Sequence, residues 1–273
     1  MPVTANIEQP ALQRARGTID LVMKSGKVER FYQSGSAKIF MPKTYAQTIE
    51  AVLVNTAGGL TGGDEFDVRL GADGDTHLTV STQTAERVYR ALGPQNAEMR
   101  VNMTVTGAAT LHWLPQETII FDGARFARHL DVQMDESASF LASEMMVFGR
   151  TAMQETVRQA SICDQWRIWR DGRLIHAEVF RLDGQIHQKL YRKASAAGNV
   201  CFATTIYIGT DAETKAEAVR EFFNNVADVD AAVSAWNGKL VIRSLSNDTA
   251  RLRKFLAQFI EHFRQIANPR VWN

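Results

Sequence analysis

Five carboxylates stand where an acid could do more than solvate a surface. Asp64 directly follows two glycine pairs. Glu117 and Asp122 flank the run Thr118 to Phe121. Glu144 lies among Leu141, Ala142, Met145 and Met146, and Glu178 among Ile175, Ala177, Val179 and Phe180. An unpaired charge is costly to bury, so an acid in such surroundings either faces water or is buried with a partner, for which Arg125, Arg150 and Arg181 are candidates. The plain reading is a solvated or salt-bridged acid. The functional reading is a polar passage lined by carboxylates, because oxygen and imidazole donors without thiolate clusters suit a divalent ion that is held weakly and released. The histidines (His77, His112, His129, His176, His187 and His262) form no pair at helical spacing. No His-x-x-x-His, nucleophile elbow or Ser-x-x-Lys is present, so nothing positive marks a catalytic centre.

The acid Asp64 closes the string Asn-Thr-Ala-Gly-Gly-Leu-Thr-Gly-Gly-Asp, in which Gly58-Gly59 and Gly62-Gly63 lie between the apolar segment 51–54 and the alternating Phe66, Val68 and Leu70. Period-two alternation marks a half-buried strand, so the glycines form a strand-to-strand connection. A phosphate cradle fits poorly, since it needs a following helix and here an acid stands where phosphate would sit. A tight turn without chemistry and a special backbone site remain.

Short strands bounded by turn signals fill most of the chain. Ile19, Leu21 and Met23 alternate before Ser25-Gly26; Met99, Val101, Met103 and Val105 alternate strictly; and 126–134, 140–147, 166–168, 174–182 and 200–208 read as further strands. Residues 71–75, between Phe66–Leu70 and His77–Ser81, read as a hairpin-type turn, as does Asp171-Gly172. Helical spacing is confined to the carboxyl-terminal part. Asp211 is placed to cap a helix to about Val226, and Ser246 or Asn247 one that carries Leu252, Phe255, Leu256, Phe259, Ile260, Phe263 and Ile266 and ends at Asn268-Pro269. An apolar stripe of that kind is ordinarily core. Residues 1–16 are polar and without period, which predicts an amino-terminal arm.

The 273 residues suffice for a sizeable core. Basic and acidic residues number 31 and 30, a balance that calls for neither nucleic acid nor a membrane surface. No segment has the length of a membrane span, and the amino terminus has no signal-peptide core. Two cysteines, Cys163 and Cys201, make no disulfide framework, so a cytoplasmic home is expected.

The glycine string with the later Val88-Tyr89-Arg90 resembles the urease accessory protein family called UreD or UreH. Leu114 to Phe121 with Asp122-Gly123-Ala124, then Phe148-Gly149-Arg150 with Glu155, and then Arg170 to Leu174 are similar to further segments of that family, in consistent order over roughly residues 15 to 185. The resemblance implies one domain over 1–273: a mainly β, β-helix-like stack of short sheets at about 17–208 and a small helical part at about 211–268. It implies a non-catalytic scaffold with no tightly bound cofactor. Such a scaffold binds urease apoprotein and the helical accessory protein UreF, recruits the GTPase UreG through it, and passes nickel through an internal channel. The carboxyl-terminal helices would bind the partner accessory protein. Asp64, Glu117, Asp122, Glu144 and Glu178 are the candidate passage residues by position and chemistry. Gly58, Gly59, Gly62, Gly63, Tyr89, Arg90, Gly149 and Arg150 are the structural motif. Two alternatives stay open: a hydrolase or lyase on a β-helix-type body, which needs a cleft of converging acids or histidines, and a passive interaction module with a dry interior.

Overall fold

The computed structural model describes residues 13–43, 48–150, 155–224, 226 and 229–272; most of the expected amino-terminal arm lies outside them. Among the described residues, seventeen strands and three α-helices follow in the order β1 (Arg16–Lys24), β2 (Lys27–Gly35), β3 (Ala37–Phe40), β4 (Ile49–Asn55), β5 (Glu65–Asp73), β6 (His77–Thr82), β7 (Glu86–Val88), β8 (Ala97–Val105) and β9 (Thr110–Leu114). Then come β10 (Thr118–Ile120), β11 (Arg125–Met134), β12 (Ser139–Phe148), β13 (Gln159–Arg170), β14 (Arg173–Gln185), α1 (Ile186–Tyr191), β15 (Cys201–Ile208), α2 (Ala216–Asn224), β16 (Asp230–Trp236), β17 (Lys239–Ser246) and α3 (Thr249–Arg264).

The strands form two facing layers in a solenoid-like stack. One sheet has the order β14-β13-β11-β8-β5-β1-β2, the other β16-β17-β15-β12-β9-β6-β4-β3 with β10 and β7 attached. The inner strands β1, β5, β8, β11 and β13 run parallel, as do β4, β6, β9 and β12. The antiparallel strand pairs among the described residues lie towards the ends of each layer. Register explains the alternation. Phe66, Val68 and Leu70 of β5 lie beside Met99, Val101 and Met103 of β8, and Val101 beside Leu130 of β11. Each row turns its apolar members into the space between the layers, where they are buried.

The turn at 71–75 is not a hairpin. β5 belongs to one layer and β6 to the other, so this segment is an arc that carries the chain across. Asp73 fixes it, accepting hydrogen bonds from Gly74 N (2.8 Å) and Thr106 Oγ1 (2.8 Å). Asp171-Gly172 does form a hairpin, between β13 and β14, with φ of 48° and 73°.

The carboxyl-terminal segment supplies strands as well as helices. β16 and β17 extend the second layer, and β16, an alanine-rich stretch, has little strand signature in the sequence. The apolar stripe of α3 (Leu252, Phe255, Leu256, Phe259, Ile260) is core. It packs with Leu141, Met145 and Ile242 on the outer face of that layer. Asp248, not Ser246 or Asn247, caps α3, accepting from Ala250 N (2.8 Å) and Arg251 N (3.1 Å). Ser246 is still in β17, and its hydroxyl instead accepts from Asp248 N (3.1 Å). Asp248→Ala is expected to cost about 1 kcal/mol, read as a lower urea midpoint with unchanged slope. The second expected cap, Asp211, accepts from the Tyr207 hydroxyl (2.6 Å) and pairs with Lys215 (3.2 Å), and α2 starts only at Ala216. No helix among the described residues is long and apolar enough to cross a membrane.

Candidate functional site

The interior is apolar along most of the stack, and a group of buried charges interrupts it between β11, β12 and β13. Arg128 and Asp164 are direct neighbours across β11 and β13, and both turn inward. The Arg128 guanidinium donates from Nε to Asp164 Oδ1 (3.0 Å) and from Nη2 to Oδ2 (2.5 Å), and its Nη1 pairs with Glu144 of the opposite layer. Trp113 Nε1 donates to Glu144 Oε1 (2.6 Å) and Trp166 Nε1 to Asp164 Oδ1 (3.2 Å). All three charged residues are buried, at 3%, 4% and 7% exposure for Arg128, Glu144 and Asp164. One guanidinium thus serves two carboxylates. Burial of these ions is tolerable only because they are paired and hydrogen-bonded together.

Register extends this cluster to the surface. Glu144 lies beside Thr204 of β15, and Thr204 beside Arg243 of β17. Arg243 Nη1 donates to Thr204 Oγ1 (2.9 Å), and Nη2 pairs with Glu178 of β14. His176 Nε2 stands 3.5 Å from Glu178. The Arg243 side chain is 46% exposed, so a polar row leads from the enclosed Glu144 to solvent at the β14/β17 end of the stack. Burial alone would push the Glu178 carboxyl up; the nearby His176 and Arg243 outweigh it and hold it below the ordinary range.

The other three acids tie loops. Asp64 is buried and accepts from Ala15 N (2.8 Å) and Thr61 N (2.7 Å), fastening the glycine loop to the start of β1. Glu117 pairs with Arg253 of α3 (2.7 Å). Asp122 pairs with Arg90 (2.6 Å) and accepts from Arg158 N (2.8 Å) and Gln159 N (3.0 Å). Burial would raise the Asp122 carboxyl; those backbone N–H groups and the Arg90 charge hold it below its usual range. The structure therefore brings Glu144 and Glu178 onto one row and places Asp64, Glu117 and Asp122 on separate loops.

The motif residues meet at one corner, where chain segments pass from the second layer to the first. A Cβ on Gly59, whose φ is 147°, would stand 2.4 Å from Tyr89 Cε2 and 2.7 Å from Arg87 O. Gly149, at φ 82°, lies so close to the chain that a Cβ would be 2.3 Å from Glu155 O. Both positions need glycine on two grounds, conformation and space. The Tyr89 hydroxyl donates to Gly58 O (3.1 Å), and its ring meets Phe121 edge-on at 4.9 Å. Arg150 lies over the same Phe121 ring at 4.6 Å and donates to Glu155 (2.7 Å). Gly62 approaches Gln95 O and Gly63 the Arg14 side chain. Four segments far apart in sequence thus become one packed surface.

Beneath this corner lies an acid that sequence reasoning missed. Glu86 accepts from Asn55 Nδ2 (3.1 Å) beside a small pocket also lined by Gly58, Gly59 and Phe66. Burial pushes its carboxyl up to about 7, against the opposing hydrogen bond from Asn55. A folded-state value above the unfolded one means that the native protein holds a proton the unfolded chain has released. Stability contributed by this group is thus full below about pH 4.5 and lost as pH rises to about 7. Glu86→Gln is expected to remove that slope and to raise stability at pH 8 by up to about 3 kcal/mol, measured by urea unfolding across the range.

Arg128, Asp164 and Arg243 were also missed. For the first two a signal existed. Phe126, Arg128, Leu130 and Val132 share one parity in β11, as do Ile162, Asp164 and Trp166 in β13, so a charge interrupts an inward apolar row. Among the described residues, no group of three or more His, Cys, Asp and Glu side chains is placed to hold a metal ion.

Residues 15–273 match the family described as UreD urease accessory protein. The chain is similar to the urease accessory protein UreD of Rhizobium leguminosarum bv. trifolii (strain WSM2304), 42% identical over 276 residues and covering the whole of both chains. The protein of the same name from Rhizobium rhizogenes (strain K84) is also 42% identical over 276 residues, again the full length of both. That of Azorhizobium caulinodans is 38% identical over 264 residues, 97% of each chain.

Proposed function

Since the chain belongs to the UreD urease accessory protein family, we propose that it acts in urease maturation as a non-catalytic scaffold which holds urease apoprotein and partner accessory proteins together while nickel is delivered. The full-length similarity carries this reading. The partners proposed are urease apoprotein, UreF bound directly, and the GTPase UreG recruited through that complex. GTP hydrolysis falls to UreG, because this chain has no Gly-x-x-x-x-Gly-Lys-Ser/Thr loop. Nickel is cargo in transit and no cofactor is held tightly.

The polar row from Glu178 to Glu144 supports an internal passage. Its carboxylates, the Thr204 hydroxyl and the His176 imidazole are oxygen and nitrogen donors suited to a divalent ion that must move on. The packed corner of Tyr89, Arg90, Phe121 and Arg150 supplies a rigid surface of the kind that protein partners use. Two free cysteines fit a cytoplasmic site of action.

Co-purification tests the scaffold. The tagged chain, produced together with urease apoprotein and UreF, is expected to retain both through gel filtration. Recovery of the tagged, folded chain alone, with both partners present in the lysate, would contradict it.

A further inference from the structure

We infer that the chain carries a binding site for a small oxyanion on the outer face of the second layer, under the carboxyl-terminal end of α3 and separate from the polar row between the layers. A cleft of about 670 Å³ opens there. Two of its lining side chains are cationic, Arg264 and Lys215; two are imidazoles, His77 and His112; and none is a carboxylate. Ser139 and Thr110 add hydroxyls, the Tyr207 hydroxyl being donated to Asp211 (2.6 Å), and Leu141, Phe263 and Ile266 give it an apolar wall.

Arg264 is the observation that points to a ligand. Its Nη2 reaches Thr79 Oγ1 at 3.3 Å, but its Nε and Nη1 are shielded from solvent with no hydrogen-bond partner among the described residues. Burial lowers its pKa to about 10, so it remains charged at neutral pH. Glu50 and Glu261 act on it through space, and no described carboxylate forms an ion pair with it. A charge drawn from water without a direct counter-ion is costly, and an anion in the cleft relieves that cost. The neighbours suit an anion. Burial and the Arg264 and His77 charges push His112 down to about 3, so it is a neutral imidazole that places no proton-dependent charge beside the ligand. Lys215 is paired with Asp211 at 3.2 Å and lies 5.1 Å from the Phe263 ring centroid, which holds its ammonium at the rim. Guanidinium, hydroxyls and an apolar wall together fit an oxyanion, either free and inorganic or the carboxylate of a small organic acid.

Isothermal titration of the full chain with sodium phosphate, and separately with sodium benzoate, at fixed sodium chloride concentration tests this. The expected result is saturable binding of one equivalent of at least one of them. Phosphate alone identifies a free oxyanion, and benzoate alone an organic carboxylate. Arg264→Gln is expected to weaken binding at least tenfold, and Lys215→Gln, at the rim, by a smaller factor without disturbing the fold. Absence of saturable binding of either anion to the wild-type chain would overturn the site. So would undiminished affinity in both variants.

Discussion

Arg128→Met is expected to destabilise the protein by about 3–5 kcal/mol, the range measured when one partner of a buried ion group is removed. The guanidinium makes three contacts, two to Asp164 and one to Glu144, from a position that is 3% exposed. Without it, two carboxylates face each other in an apolar interior, where the Trp113 and Trp166 N–H groups are the donors left to them among the described residues. In a chain of this length such a loss lowers the melting temperature by roughly 5–9 °C. Replacing all three charges by apolar residues, as Arg128→Met, Glu144→Met and Asp164→Leu together, is expected to recover most of it, since a buried ion group exchanged for packed apolar side chains is often neutral or better. A single-variant loss below about 1 kcal/mol would show that water reaches the cluster freely.

The second large effect concerns the cargo. Glu178→Ala and Glu144→Gln are expected to leave assembly with the partner proteins intact and to reduce the nickel content of matured urease severalfold. Glu178 stands at the solvent end of the row, held by Arg243, and Glu144 at its enclosed end, so the two substitutions remove donors at both limits of the proposed passage. Glu144→Gln keeps an oxygen for the Trp113 N–H, which limits damage to the fold. The contrast lies with Glu117→Gln. Its ion pair fastens α3 to the loop after β9, so this variant is expected to lower stability while nickel loading per assembled complex stays at the wild-type level. Equal nickel contents for all three variants, with assembly unchanged, would remove the passage from Glu144 and Glu178.

The strands were legible in the sequence because the layers are two-sided, and period-two alternation in β1, β5 and β8 is the direct imprint of one buried and one wet face. Which layer each strand joins was not legible. The turn at 71–75 has the composition of a hairpin, and only the parallel pairing of β5 with β1 and β8 makes it an arc. β16 escaped because its alanines and serine carry little strand preference and its place is set by β17. Two of the five singled-out acids share a row because β12 and β14 bring them to it through Thr204 and Arg243, contacts 39 to 65 residues apart in sequence. The partners themselves were misjudged. Arg125, Arg150 and Arg181 were the nearby candidates, whereas Arg128 and Arg243 hold Glu144 and Glu178. Sequence distance says little about which cation reaches an acid in a stacked fold. The glycine motif was legible as a tight site, but its reason, the approach of Tyr89 and of the Glu155 carbonyl, appears only when four segments stack at one corner.

The most direct test is the nickel content of urease matured in cells with and without this chain, measured by metal analysis of the purified enzyme alongside its activity. Urease made without the chain is expected to be nickel-poor and inactive, with both recovered when the chain is supplied. Equal nickel loading in its absence would contradict the role in maturation.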